Sequence, residues 1–229
     1  MKKKRLVIFG AGETADIAYE YFTHDSDYEV VGFTVETVYK KETELYSLPV
    51  VEFEEIEKSF PPTEVEMFVA ISYTMLNRAR ARCYRLAKSK GYACATYVSS
   101  KAFVWHNAAI GENCMIFENN VIQHKVRIGD GVILWSGNHI GHQTVIHDFV
   151  YISSHVVISG FCEIGPFCFV GVNATFNDRI KIGKDNIVGS GALVVKSYGD
   201  GKLLIGTPAK PAAVSSYETF RVPESEMEA

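Results

Sequence analysis

At 229 residues the chain has room for one large domain or two small ones. A composition of 47% hydrophobic and 22% charged residues excludes an extended disordered chain. The formal net charge of -4, with no basic stripe, gives no electrostatic reason to expect nucleic acid. No run approaches the roughly 18 apolar residues of a membrane-crossing helix.

Met1-Lys-Lys-Lys-Arg5 carries the charge of a signal-peptide start, but the apolar run behind it stops at Gly10-Ala-Gly12, with Glu13 and Asp16 close by. No signal-peptide core forms. The five cysteines, at 83, 94, 114, 162 and 168, include no Cys-x-x-Cys pair and point to reduced, mostly structural thiols in a cytoplasmic protein.

The first hundred residues alternate strand and helix. Leu6-Val-Ile-Phe9 is a short apolar strand, Thr14 to Phe22 has helical spacing, and Tyr28-Glu-Val-Val-Gly-Phe-Thr34 is a second strand. Met67-Phe-Val-Ala-Ile71 makes a third strand, a basic helix runs from about Leu76 to Lys90, and Ala93-Cys-Ala-Thr-Tyr-Val98 makes a fourth strand. The alternation predicts a small parallel α/β sheet of Rossmann type over residues 1–100. Gly10-Ala-Gly12-Glu-Thr-Ala15 is a G-x-G-x-x-A turn between strand and helix. In that setting glycines admit a pyrophosphate to the backbone and the helix start favours its charge. Glu36, just past the second strand, stands near the usual ribose-binding position. A tight strand-to-helix turn with no ligand satisfies the same pattern.

From residue 110 the rhythm changes. Every sixth position is apolar: Ile110, Ile116, Ile122, Ile128, Leu134, Ile140, Ile146, Ile152, Ile158, Ile164, Val170, Phe176, Ile182, Val188 and Val194. Four residues after each comes a second inward position, usually small or β-branched, as at Cys114, Val126, Val132, Thr144, Val150, Val156, Cys162, Cys168, Ala174 and Ala192. Asn120, Asn138 and Asn186 are the polar exceptions. This is the hexapeptide repeat of a parallel β-helix. Three short strands close a triangular coil of eighteen residues, with coils about 4.8 Å apart. Glycine often follows the apolar residue, and glycine-rich corners are expected to take the sharp turns. The β-helix is predicted over residues 101–198, with 199–229 as a C-terminal extension.

The repeat gives each histidine an address. His139, His142 and His147 all miss the inward positions and should project from the prism surface. His142 lies eighteen residues after His124, which lies eighteen after His106, and Gly160 and Asp178 continue the column. His124 and His142 should stack, and two imidazoles so close disfavour double protonation, leaving one able to act as a base. His155 falls in another column, between Gly137 and Asn173. An idle histidine face fits the same spacing. Against it stands the polar cluster of Asn138, His139, His142, Gln143, His147 and Asp148.

Ile8-Phe-Gly-Ala-Gly12, Ile140-Gly-His-Gln-Thr-Val-Ile-His-Asp-Phe149 and Ile205-Gly-Thr-Pro-Ala-Lys210, in that order, give the chain its resemblance to a family. It resembles, over nearly its whole length, the bacterial hexapeptide acyltransferases that acetylate nucleotide-linked amino sugars, grouped with sialic acid O-acetyltransferase-like proteins. The resemblance implies a left-handed β-helix and a homotrimer with active sites between neighbouring subunits. It implies an acetyl-CoA-dependent N-acetyltransferase of surface glycan synthesis, acting on a nucleotide-activated amino sugar held by the N-terminal half, with no metal. His142 then acts as general base, accepting a proton from the sugar amine as that nitrogen attacks the thioester carbonyl, a task that suits a neutral imidazole. Coil N–H groups near Gly160 are candidate donors to the oxyanion.

The resemblance makes His142, Gln143 and Asp148 the catalytic candidates. Gly10, Gly12, Glu13, Thr14, Glu36, Asn138, His139 and Tyr151 are the substrate candidates, and Gly160, Asn173, Lys181, Pro208 and Lys210 the acetyl-CoA candidates. The chain departs from many relatives at three places. Gln143 replaces a carboxylate after the base, Tyr151 replaces a second histidine, and Glu36 replaces an aspartate. Glutamine accepts from a ring nitrogen but cannot balance an imidazolium, which leaves Asp148 or Asp178 to supply that charge.

Three other readings follow from the same residues. A sugar hydroxyl could be the acceptor, although a hydroxyl depends more on a base and the missing carboxylate favours an amine. The γ-class carbonic anhydrases share the β-helix and the His-x4-His spacing of His142 and His147, with zinc held between subunits. Their remaining ligand would match His106, two coils or roughly 10 Å away, which only a neighbouring subunit could complete. The Rossmann-like half and the Ile205–Lys210 tail argue against that enzyme. The last reading is a non-catalytic nucleotide-sugar-binding scaffold.

Overall fold

The computed structural model describes residues 4–208 and 210–227. The described chain divides into two compact units: residues to Ser72 with Arg80–Tyr97, and Tyr73–Ala79 with the residues from Val98 onward. Among the described residues no helix is long and apolar enough to cross a membrane.

In the first unit the elements are β1 (Lys4–Phe9), α1 (Glu13–His24), β2 (Tyr28–Val35), β3 (Glu44–Leu45), β4 (Leu48–Glu52), β5 (Glu66–Val69) and most of α2 (Arg78–Ser89). The sheet runs β3-β4-β2-β1-β5. All its pairings are parallel except β3 with β4. The apolar run of β1 is central and fully buried, as a strand with neighbours on both sides requires. Ala15, Ala18 and Phe22 form the buried face of α1, and Phe22 packs on Phe68 with ring centroids 5.0 Å apart.

Two expectations need correction here, and one hairpin is additional to them. The antiparallel β3–β4 hairpin went unforeseen because its turn is Tyr46-Ser47, at φ 52° and 59°, rather than an Asn-Gly pair. The segment Ala93–Val98 is not one strand, because Cys94 makes a single bridge to Met67 and only Tyr97–Val98 is extended in a ladder. The basic helix starts at Arg78 rather than Leu76, since Met75, Leu76 and Asn77 all hold positive φ.

The second unit is a parallel β-helix. Two-residue strands pair with partners eighteen positions away, as Val121 with His139 and Val157 with His139. The same step links Arg127 to Val145 and Ile133 to Tyr151, giving three faces to each coil. The six-residue apolar series is buried from Ile116 to Val194, with Ile110 half-buried at the open end. Among the inward asparagines Asn186 is satisfied internally: its Nδ2 donates to the carbonyls of Gly183 and Gly199, and its Oδ1 accepts from Lys202 N–H. All five cysteines are buried, and burial pushes the Cys168 thiol up to about 12.

The corners differ from the expectation. The glycines that follow the apolar residues do not take the left-handed turn. It falls on the third residue after each apolar one, at every sixth position from 113 to 191, and only Gly131, Gly137 and Gly191 there are glycine. Asn113, Lys125, Gln143, Phe149, His155 and Arg179 take the same conformation. Each such residue costs roughly 1–2 kcal/mol in an isolated chain. At most corners the cost is offset because the N–H donates to a backbone carbonyl of the preceding coil, as Gln143 to His124, Phe161 to His142 and Arg179 to Gly160.

Residues beyond 198 extend the prism before leaving it. Leu203 pairs with Ile187 in a step shortened to 16 residues, and Ile205 then pairs antiparallel with Lys210. A helix at Ser216–Phe220, opened by a capping box of Ser215 and Glu218, carries Tyr217 and Phe220. These pack with Leu76, Phe169, Ile187 and Val222 over one face of the coils. Beneath them Arg78 Nη2 lies 2.8 Å from Asp185 Oδ1, both side chains buried. Tyr217 donates its hydroxyl to Asp185 Oδ2 at 2.8 Å. Burial first, and this acceptor second, push that hydroxyl up to about 12. Removing the charge of Asp185 leaves Arg78 uncompensated in a buried place. Asp185→Asn is therefore expected to cost about 3–5 kcal/mol in urea unfolding, and a change below 1 kcal/mol would contradict it.

Candidate active site

Ile140 and Thr144 both face the prism interior, so the three residues between them must bulge outward. His142 is the middle residue of that bulge. Its imidazole is half-buried and stacks on His124 of the coil below, with centroids 5.6 Å apart and planes 10° apart. Phe161 meets it edge-on at 5.0 Å. In the coil above stands Gly160, where a Cβ would fall 2.5 Å from His142 Cε1 and 2.7 Å from Nε2. Glycine is required there by the ring, not by the backbone.

The partner of the imidazole is a residue the sequence reading did not single out. Gln123 Oε1 accepts the backbone N–H of His142 at 2.8 Å and lies 3.3 Å from ring Nδ1. Register arithmetic could have found it, since position 123 lies one coil below Gly141. Gln143 instead holds the left-handed corner, its N–H donating to His124 O at 3.0 Å and its side chain exposed. Asp148 belongs to the next corner, where its Oδ1 accepts from Asp130 N–H at 2.9 Å. Asp178 pairs with Arg179 Nε at 3.2 Å. Neither carboxylate takes up the role of balancing His142.

The remaining candidates are dispersed. His147 Nε2 lies 3.1 Å from Glu163 Oε1, and Lys181 Nζ lies 3.2 Å from Glu163 Oε2. These two contacts, His147 first, hold the Glu163 carboxyl below the ordinary range. His142 and His147 thus meet different partners. Among the described residues no three of His, Cys, Asp and Glu gather as a cation site needs. Asn138 points into the prism, its Nδ2 donating to Trp135 O and its Oδ1 accepting from Val156 N–H at 2.8 Å. The ring of Tyr151 is buried between Phe169, stacked at 5.3 Å, and Tyr73, edge-on at 5.0 Å. His139 is half-buried and outward between Val121 and Val157. Asn173 is exposed at a left-handed corner of a different column from Gly160. Pro208 and Lys210 are exposed in the terminal turn.

In the first unit, Gly10 holds φ 141° and a Cβ there would meet Ala70 O at 2.8 Å. Its N–H donates to Thr34 O at 2.8 Å. Gly12 is the N-cap of α1, with no side-chain cap bond, leaving the uncapped helix start that anions favour. Glu13 is exposed and Thr14 half-buried behind it. Glu36 is already engaged: Arg82 donates to both its oxygens, at 2.7 and 2.6 Å.

A family model described as bacterial transferase hexapeptide (six repeats) matches residues 107–142 and 125–160. The acetyltransferase domain of PglB from Neisseria gonorrhoeae FA1090 is similar at a TM-score of 0.81 and 25% identity, over 92% of this chain and 100% of that one. PerB from Caulobacter crescentus, solved with CoA and GDP-perosamine, is similar at a TM-score of 0.78 and 25% identity, over 91% and 97%. WeeI from Acinetobacter baumannii AYE shares the fold, at a TM-score of 0.76 and 20% identity over 92% and 100%. The α/β unit followed by a left-handed hexapeptide-repeat β-helix is thus a known architecture.

The close approach of His142 to Gly160 makes a direct test. Gly160→Ala is expected to fold normally by circular dichroism while displacing the imidazole, seen as shifted His142 ring resonances. Unchanged resonances would mean the ring does not occupy this place.

Proposed function

We propose that the chain is a hexapeptide-repeat sugar acyltransferase that acetylates the amino group of a nucleotide-linked amino-deoxy sugar, a reading supported by the repeat match and the similar solved structures. The donor in this reading is acetyl-CoA, the base is His142, and the product feeds surface glycan synthesis in the cytoplasm. One observation carries the reading: a half-buried imidazole stands off the prism between His124 and the bare backbone of Gly160. The binding of both CoA and GDP-perosamine by PerB supports the pairing of donor and acceptor.

The sugar nitrogen attacks the acetyl carbonyl and passes a proton to His142. The tetrahedral intermediate collapses, the C–S bond breaks, and the departing thiolate recovers the proton from the imidazolium. Coil N–H groups near Gly160 are the candidate oxyanion donors. The uncapped start of α1 at Gly12 suits the nucleotide phosphates.

The homotrimer is also part of this proposal. Of the three coil faces, one is covered by the chain's own Leu76, Tyr217, Phe220 and Val222, and one carries Arg127, Glu163 and Lys181 outward. The face with Phe103, Val121, His139 and Val157 is apolar and open, Phe103 being 52% and Val157 40% exposed. It is the face suited to neighbouring subunits, and the His142 corner adjoins it.

His142→Ala is expected to lower kcat by about 10²–10⁴-fold, measured as thiol release from acetyl-CoA across a panel of UDP-, dTDP- and GDP-linked amino sugars. Near-normal turnover would sink the assignment. In sedimentation, Val157→Glu is expected to shift the protein from three chains to one. An intact trimer in that variant would remove this face from the interface.

A further inference from the structure

We infer that Gln123 is a positioning residue that decides which nitrogen of His142 carries the proton, an inference that rests on His142 being the base. A backbone N–H can only donate, so the Gln123 atom 2.8 Å from His142 N must be the amide oxygen. This fixes the amide's orientation independently of the imidazole. The same oxygen lies 3.3 Å from Nδ1. An oxygen facing a ring nitrogen attracts N–H and repels a lone pair, so the neutral ring carries its proton on Nδ1. The basic lone pair is then on Nε2, which together with Cε1 faces the bare position of Gly160, 2.7 and 2.5 Å from where a Cβ would stand.

Capping a corner N–H from a neighbouring coil is a general device of this prism. Asp130 Oδ1 caps Glu112 N–H at 2.8 Å, and Asn107 Oδ1 caps Lys125 N–H at 2.9 Å. Gln123 performs that service for His142 and, with the longer side chain, brings the capping oxygen to the ring as well. The arrangement also accounts for Gln143, which need not orient the base because its own place is the left-handed corner. A carboxylate beside the ring would set the tautomer and balance the imidazolium together. The amide sets the tautomer alone.

The test is solid-state ¹⁵N NMR of histidine-labelled protein, with the His142 signals assigned by their loss in His142→Asn. Wild type is expected to show Nδ1–H with bare Nε2. Gln123→Leu is expected to lose that pattern and to reduce kcat about 10–100-fold with KM for acetyl-CoA unchanged. Gln123→Glu, which keeps an oxygen acceptor, is expected to restore both the tautomer and most of kcat. A wild-type proton on Nε2, or Nδ1–H persisting in Gln123→Leu, overturns the inference. The wild-type spectrum decides alone if Gln123→Leu does not fold. Transfer that survives His142→Ala overturns the proposed function instead, whichever tautomer is seen.

Discussion

The eighteen-residue register of the coils is the constraint on which the second unit depends. Each strand pairs with the strand one coil above and below, so a side chain's vertical neighbours are set by arithmetic on its number. The inward slots must then be filled by residues that pack under one another, which is why Ile, Val, Cys and Ala alternate there. The polar exceptions, Asn120 and Asn186, are tolerated because their amides bond carbonyls inside the prism. The same register supplies the backbone carbonyl that accepts the left-handed corner N–H from Gly131 to Gly191. An inter-coil bond worth about 0.5–1.5 kcal/mol roughly offsets the conformational cost, so the corners do not need glycine.

That register also builds the candidate site. Stacking His142 on His124 requires nothing beyond identical positions in successive coils, and the coil above must then carry a residue without a side chain. Gly160 meets that requirement. The site is thus a break in the side-chain column, where a ring that would otherwise be covered keeps its Cε1–Nε2 edge against bare backbone. Gln123 enters from the neighbouring column of the coil below. Orientation comes from the framework that folds the prism, with no loop dedicated to it.

What the sequence disclosed follows the same logic. The apolar six-residue period is a one-dimensional signal, and the strand ladders and the His124–His142 stack could be counted from it. The position of the left-handed residue could not, because Gln143, Phe149, His155 and Arg179 share no chemistry. They share only a place in the coil. Gln123 escaped because counting by eighteen from His142 stays in its own column, whereas Gln123 lies under Gly141 and its side chain crosses to the ring. Tyr151 and the buried Arg78–Asp185 pair escaped for a different reason. Both depend on the 73–79 segment lying against the coils, a contact between residues far apart in sequence and outside the repeat. In the first unit, Glu36 was legible as a residue at a strand end but not as the partner of Arg82, forty-six residues on.

The amide at Gln123 bears on the kind of acceptor such a site would suit. A carboxylate against Nδ1 would strengthen proton uptake by stabilising the charged ring, which matters most when the nucleophile is a hydroxyl that must lose its proton as it attacks. An amine attacks with its own lone pair and becomes acidic only once the new C–N bond has formed. For that acceptor the base must be placed and in the right tautomer, but it need not be driven. A neutral oxygen held by a backbone N–H provides placement and tautomer without charge. In the proposed reaction, a proton taken up by Nε2 would return to the departing thiolate without first breaking an ion pair.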